Sequence, residues 1–310
     1  MLRASSFPDT RSIYRTAAGH TALHAWYTAG LNRLAGAYES ICVPTRFGTT
    51  HMLAAGDRQA PAVLLITTWG GNALLWEMQF FALAQHFRVY ALDVPGYTGW
   101  SAPHHLSPLG SDYADWVADV LDALALAEVA LIGMAYGAWI AIQATLALPE
   151  RITRLGLLSP TFFAPISFGL MGQVANISLN PFLSLDTKLR QFATAVLAPS
   201  GLTPHRDLLP VVEWFALLMQ HTRQHTPQLA PLRPLLFQPP LRELSRLPLP
   251  TLVLFGAHEV MYDAQIALVN AQRSLPNLVR GDILADAGHA LIYNQPTLVN
   301  QHILAFLMDR

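Results

Sequence analysis

EVALIGMAYGAWIAIQATLALP, residues 128–149, is the stretch whose reading decides the fold. Twenty uncharged residues lie between Glu128 and Pro149, with Gly133 and Gly137 four apart. Three structures suit that pattern. About 20 apolar residues span a bilayer, and Gly-x-x-x-Gly packs helices inside membranes. The same composition suits a buried core helix with no chemistry attached. A short strand, a sharp turn and a buried helix would instead display one side chain on the turn, where a nucleophile is expected. The residue displayed there is Ala135.

The flanking sequence chooses among the three. Upstream, an apolar β-branched strand over 63–67 is followed by a helix over 73–85, a strand over 87–92 and the turn-rich segment 93–108. A helix over 111–126 carries Asp112, Asp115 and Asp119 on its polar face. The segment itself then divides into a strand over 129–132 and a helix over 136–148, with another strand over 152–158. Strands alternating with helices imply parallel pairing through right-handed crossovers. A lone membrane helix has no topological place in such a chain.

Further out, residues 12–37 read as a leading helix, with Leu23, Trp26, Leu31 and Leu34 at roughly helical spacing and Gly19, Gly30 and Gly36 weakening it. Residues 40–47 and 50–55 read as a hairpin around Gly48 and Thr49. The alternation breaks at Ser159-Pro160 and resumes with a strand over 250–256, a helix over 263–273, a strand over 278–284 and a helix over 297–308. The expected organisation is an N-terminal helical extension over 1–39, an α/β core of 40–159 and 248–310, and a helical cap over 160–247. Helical pieces are expected in the cap at 186–197 and 208–224.

Composition narrows the function. With 52% apolar and only 13% charged residues, the chain has material for a deep core and an apolar pocket. Nineteen basic residues against twenty acidic, with no run of one sign, argue against a nucleic-acid surface or a polybasic membrane anchor. Cys42 is the sole cysteine, which excludes an internal disulfide and fits a reducing compartment. The first sixteen residues have neither an apolar core nor a signal-like cleavage pattern, so the expectation is a cytoplasmic protein without a membrane span.

Gly133-Met134-Ala135-Tyr136-Gly137 resembles the Gly-x-Ser-x-Gly nucleophile elbow of the α/β-hydrolase family, and the resemblance covers about residues 40–310. An elbow residue sits at strained backbone angles, so the positions two away must be small for strand and helix to meet. The resemblance implies a mostly parallel sheet flanked by helices, an inserted helical cap and esterase-like hydrolysis. It also implies a triad with Ala135 at the nucleophile position, Glu259 after the strand over 250–256, and His289 in Asp286-Ala287-Gly288-His289 before the last helix. Asp263 is the rival acid, with N-capping of the following helix as its alternative role. His258 and Asp286 read as loop residues. Trp69, in Thr67-Thr68-Trp69-Gly70-Gly71-Asn72, and Tyr136 are candidate backbone donors to an oxyanion. The family usually has His-Gly where this chain has Thr67-Thr68. Asp93-Val94-Pro95-Gly96-Tyr97-Thr98-Gly99-Trp100-Ser101 resembles a loop that marks the fold more than it carries chemistry.

Thr68, Phe162, Phe163 and Trp214 are candidate pocket residues, with Phe168, Met171, Phe215 and Met219 from the same apolar stretch as further ones or as core of the cap. His20/His24 and His221/His225 have the i, i+4 spacing of metal pairs, but neither has the His-Glu-x-x-His form, so they read as solvated helix faces. Cys42 reads as a packed thiol. No metal or cofactor is implied. The expected partner is a small, largely apolar organic molecule, and the pattern sets no oligomeric state.

Alanine has no oxygen with which to attack a carbonyl. Removing a triad serine costs on the order of 10⁶ in turnover, or roughly 8 kcal/mol of barrier. Three readings stay open. Ala135 replaces a serine in an otherwise complete hydrolase; or His289 and Glu259 act as a general base in lyase, isomerase or cyclisation chemistry; or the chain is a non-catalytic binder on a hydrolase scaffold.

Overall fold

The structure is a computed structural model that describes residues 7–34, 36–167, 169, 172, 176–177, 179–197, 208–223, 241–247 and 249–309. Its strands are β1 (Glu39–Thr45), β2 (Gly48–Ala55), β3 (Ala62–Ile66), β4 (Arg88–Leu92), β5 (Val129–Met134), β6 (Ile152–Leu158), β7 (Thr251–Gly256) and β8 (Leu278–Leu284). They form one sheet in the order β1-β2-β4-β3-β5-β6-β7-β8. β2 pairs antiparallel with β1 and β4, and every other pairing is parallel. All residues of β3, β4 and β5 are buried, as strands covered on both faces require, and apart from Arg88 at the start of β4 their sequences are unbroken apolar runs.

The helices are α1 (Ala17–Arg33), α2 (Glu77–Ala84), α3 (Asp112–Ala123), α4 (Tyr136–Ala147), α5 (Leu185–Leu197), α6 (Leu208–His221), α7 (Leu241–Leu244), α8 (Ala264–Ser274), α9 (Leu291–Asn294) and α10 (Pro296–Met308). Val63 and Leu65 point into one core with Tyr27 of α1, Phe80 of α2 and Ile303 of α10. Leu64 and Ile66 point into the other, with Trp116 of α3, Ile140 of α4 and Ala267 of α8. That alternation is the period-2 signature of a strand between two helical layers. Residues 128–149 are divided between β5 and α4, and no helix among the described residues is long and apolar enough to cross a membrane.

Three boundaries differ from expectation. The hairpin turns at Arg46-Phe47, because Gly48, at φ +98°, already pairs with Thr45 as the first residue of β2. Arg46 is anchored there by Asp119 on the polar face of α3 (Nη2–Oδ1 2.8 Å). The helix expected over 73–85 splits into a 3₁₀ turn at Ala73–Trp76 and α2, since the Asn72 side chain accepts from Leu74 N and Ala73 N donates to Asp93. The leading helix begins only at Ala17, where the Thr16 hydroxyl accepts from Gly19 N at 3.0 Å.

The glycines that weaken α1 have a packing role. A Cβ on Gly19 would lie 2.5 Å from His221 Cβ, and one on Gly30 would lie 1.9 Å from Leu74 Cδ2. α1 therefore lies directly against α6 and the 73–76 turn, and Trp26 Nε1 donates to Pro210 O at 2.9 Å. His20 and His24 pack with tilted rings, centroids 4.1 Å apart, and no group able to hold a metal ion occurs among the described residues; His225 lies outside them, as do Phe168, Met171 and Gln224.

Burial, with His20 adding to it, pushes His24 down to about 4. A histidine that stays neutral when folded but protonates near 6.5 when unfolded costs stability as pH falls. We expect the melting temperature to drop between pH 6.5 and about 4, and His24→Gln to flatten that part of the profile. A wild-type profile unchanged by the substitution would show that His24 does not contribute.

Candidate active site

β5 ends in a turn whose geometry the sequence dictates. Ala135 adopts φ +51°, ψ −114°, a conformation costing a non-glycine residue about 1–3 kcal/mol. Its N–H donates to Leu158 O at 2.8 Å and its carbonyl accepts from Ala138 N at 3.1 Å. A Cβ on Gly133 would lie 2.2 Å from Gly137 O, and one on Gly137 would lie 2.4 Å from the carbonyls of Ile66 and Thr67. Only glycine permits these backbone contacts. They set β5, α4 and the loop after β3 against one another.

The end of β7 delivers the next group. A Cβ on Gly256 would lie 2.4 Å from Ala287 O, so the chain after β7 runs tightly beside the chain after β8. His258 N donates to Ala287 O at 2.8 Å, and Gly288 N donates to Asn294 Oδ1 at 2.9 Å. This framework brings Glu259 Oε2 to 2.7 Å from His289 Nδ1, while Glu259 Oε1 accepts from Met261 N at 2.9 Å. The Glu259 side chain is fully buried and His289 nearly so. A carboxylate only accepts, so Nδ1 carries the proton and, in the neutral ring, Nε2 is left as the acceptor. Asp263 is engaged as the N-cap of α8, its Oδ1 accepting from Gln265 N and Ile266 N. Asp286 is exposed.

Ala135 and His289 line one cavity of about 120 Å³, together with Thr68, Trp69 and Tyr136. Tyr136 opens α4, so its N–H has no partner within the helix. The Trp69 and Tyr136 ring centroids are 6.3 Å apart. α6 contributes Val211, Trp214, Phe215 and Met219 from one helical face, and α5 contributes Phe192, Val196 and Leu197. Thr98 braces this wall: its hydroxyl donates to Gly70 O at 2.6 Å and accepts from Trp214 Nε1 at 3.3 Å. No Asp, Glu, Lys or Arg lines the cavity among the described residues.

Phe162 and Phe163 do not line it. They pack on each other at 4.8 Å in the core beneath the opposite face of the sheet, where Phe163 also meets Phe255 edge-on. Thr161, just before them, reaches the cavity instead. The sequence reading missed Phe192, Val196, Leu75, Met261 and Tyr293. Phe192 and Val196 carry the i, i+4 signal of an amphipathic helix, and Tyr293 stands four residues after His289. Cys42 is on β1, away from this cavity, and burial with the nearby Asp93 carboxylate pushes its thiol up to about 11, so it is not a nucleophile at neutral pH.

A strained strand-to-helix turn, a carboxylate-bonded histidine after the last strand and an eight-stranded, mostly parallel sheet define an esterase-like α/β-hydrolase arrangement. The model of the alpha/beta hydrolase family matches residues 63–302, and the chain belongs to that family. Among its relatives, carboxylesterase YbfK of Bacillus subtilis (strain 168) is 28% identical over 280 residues, which are 87% of this chain and 88% of that protein. The crystal structure of that carboxylesterase, CesB (YbfK), matches with a TM-score of 0.79 at 26% identity, covering 94% of this chain and 99% of the other. The naproxen esterase (carboxylesterase NP) of Bacillus subtilis matches with a TM-score of 0.78 at 26% identity and the same coverage.

Proposed function

We propose that this chain carries an acyl-transfer site for small, largely apolar esters, with residue 135 at the nucleophile position, His289 as the base and Glu259 as the acid that orients it. The strain at Ala135, directly beside the His289–Glu259 pair on the wall of an apolar cavity, carries this reading. An inert connection would have no reason to keep such a backbone. Trp69 N–H and Tyr136 N–H are the oxyanion donors, and α5 and α6, between β6 and β7, act as the cap that supplies the cavity roof. A cavity of about 120 Å³ with these apolar walls suits a small acyl group. Two relatives are carboxylesterases, one of them a naproxen esterase, and an aromatic acyl group suits walls made of Trp69, Phe192, Trp214 and Phe215.

With alanine at 135, the chain binds such an ester without forming an acyl-enzyme. The fixed Nδ1–H of His289 favours a second reading, in which Nε2 acts directly as a general base. Titrating p-nitrophenyl butyrate into the protein while following heat and p-nitrophenol release separates the two. Binding without any release that depends on His289 is expected. Release that disappears in His289→Ala would favour the second reading, and no binding at any acyl length would overturn both.

A further inference from the structure

The Asp93 loop does more than mark the fold. The fully buried Asp93 carboxylate accepts from four donors: Tyr27 Oη at 3.1 Å, His51 Nδ1 at 2.6 Å, Ala73 N at 2.7 Å and Trp100 N at 2.8 Å. His51 therefore donates from Nδ1, and its neutral ring offers Nε2 as an acceptor. Ser40 Oγ lies 2.8 Å from that nitrogen. The His51 and Asp93 side chains are wholly shut off from solvent, whereas Ser40 is half-buried. A half-buried serine, a sealed imidazole and a sealed carboxylate stand in the order of a serine nucleophile relay.

The backbone supplies a second element. The hairpin closes on the pair Thr45/Gly48, so the bonded pairs are 45/48, 43/50, 41/52 and 39/54. Ser40, opposite Leu53, falls between them, and its N–H points away from β2 toward the open edge of the sheet. The alternation is borne out across β2, where His51 N and O turn the other way, to Ser101 Oγ and Asp93 N. The N–H of an attacking serine is one of the donors that hold a tetrahedral oxyanion.

We propose that Ser40, His51 and Asp93 form a second nucleophilic centre, independent of position 135, that reacts with small activated esters and phosphonyl fluorides at the β1 edge of the sheet. Ser40 Oγ attacks the carbonyl carbon as its proton passes to His51 Nε2. Collapse of the tetrahedral intermediate breaks the bond to the alcohol oxygen, which takes the proton from Nε2 and leaves an acyl-Ser40. Water then adds to the acyl carbon and gives a proton to Nε2. Ser40 departs with that proton, so one water and one ester become one acid and one alcohol. The other titratable groups around Asp93 do not interfere near neutrality. His24 is pushed down to about 4 and Cys42 up to about 11, while burial raises the Tyr14 and Tyr27 hydroxyls further.

Because residue 135 has no hydroxyl, a fluorophosphonate probe applied to the protein as it stands reads this centre without background from the elbow. Tryptic cleavage isolates residues 34–46, in which Ser40 is the only serine. The expected result is stoichiometric label on that peptide, absent in Ser40→Ala and slowed about 10²–10⁴-fold in His51→Gln, the contribution of a general base. No label on residues 34–46 of the folded protein would overturn the proposal. So would label unaffected by His51→Gln. If that variant does not fold, a rate climbing tenfold per pH unit to pH 10, as for an unassisted serine, overturns it equally.

Discussion

Ala135→Ser is expected to turn this chain into an ester hydrolase, raising turnover of p-nitrophenyl butyrate by four to six orders of magnitude over the alanine form, the range set by removing a triad serine elsewhere. One oxygen atom suffices because the rest is already in place. The strain of about 1–3 kcal/mol at φ +51° is already present with alanine, so serine adds none of its own. His289 is oriented by Glu259 at 2.7 Å, and Tyr136 N–H has no partner within its helix. Adding His289→Ala to Ala135→Ser should return the rate to the alanine level. Adding Glu259→Gln should cost about 10⁴, since the amide no longer enforces the tautomer. A folded Ala135→Ser protein that releases p-nitrophenol from esters of several acyl lengths no faster than the alanine form would refute the assignment of residue 135.

The second large effect concerns stability. Asp93→Asn should destabilise the protein by about 3–5 kcal/mol, since each buried donor left without an acceptor costs about 1–3 kcal/mol. Asparagine keeps the shape but turns one acceptor into a donor, which then faces Tyr27 Oη, His51 Nδ1, Ala73 N and Trp100 N without lone pairs for all of them. Against a total stability of about 5–15 kcal/mol, that is a third or more of the reserve in most of the range. Urea unfolding is the measurement, with a lower midpoint at an unchanged slope. Asp122→Asn, at the exposed ion pair with Arg151, is the control and should shift stability by less than about 1 kcal/mol. A similar small loss for Asp93→Asn would mean that the network is dispensable.

How much of this was legible depended on the range over which each signal acts. The strand, turn and helix around Ala135 were readable because Gly133, Gly137 and the apolar run are local. Glu259 and His289 followed from chain order, each placed after a readable strand. Phe162 and Phe163 were misassigned because an apolar aromatic at the end of β6 does not reveal which side of the sheet it enters. Phe192 and Val196 were missed for the complementary reason, since a helix face looks alike whether it meets a core or a cavity. Gly48 looked like a turn residue because its positive φ suits one, yet it belongs to the ladder. The Tyr27–Asp93–His51–Ser40 network left no local trace at all. Its members are brought together by β-pairing and by the seating of α1, and only the fold places them in contact.

The contact between Gly137 and the carbonyls of Ile66 and Thr67 has one more consequence. The turn bearing residue 135 and the loop bearing Trp69 abut main chain to main chain, so their separation is a hard stop fixed by atomic radii. The roof over them is made of side chains on α5 and α6, which have no such stop. Substitutions in the roof can therefore change which molecule fits while the spacing of the floor holds. On the proposed reading, selectivity and chemistry are written on separate parts of the chain, free to drift apart.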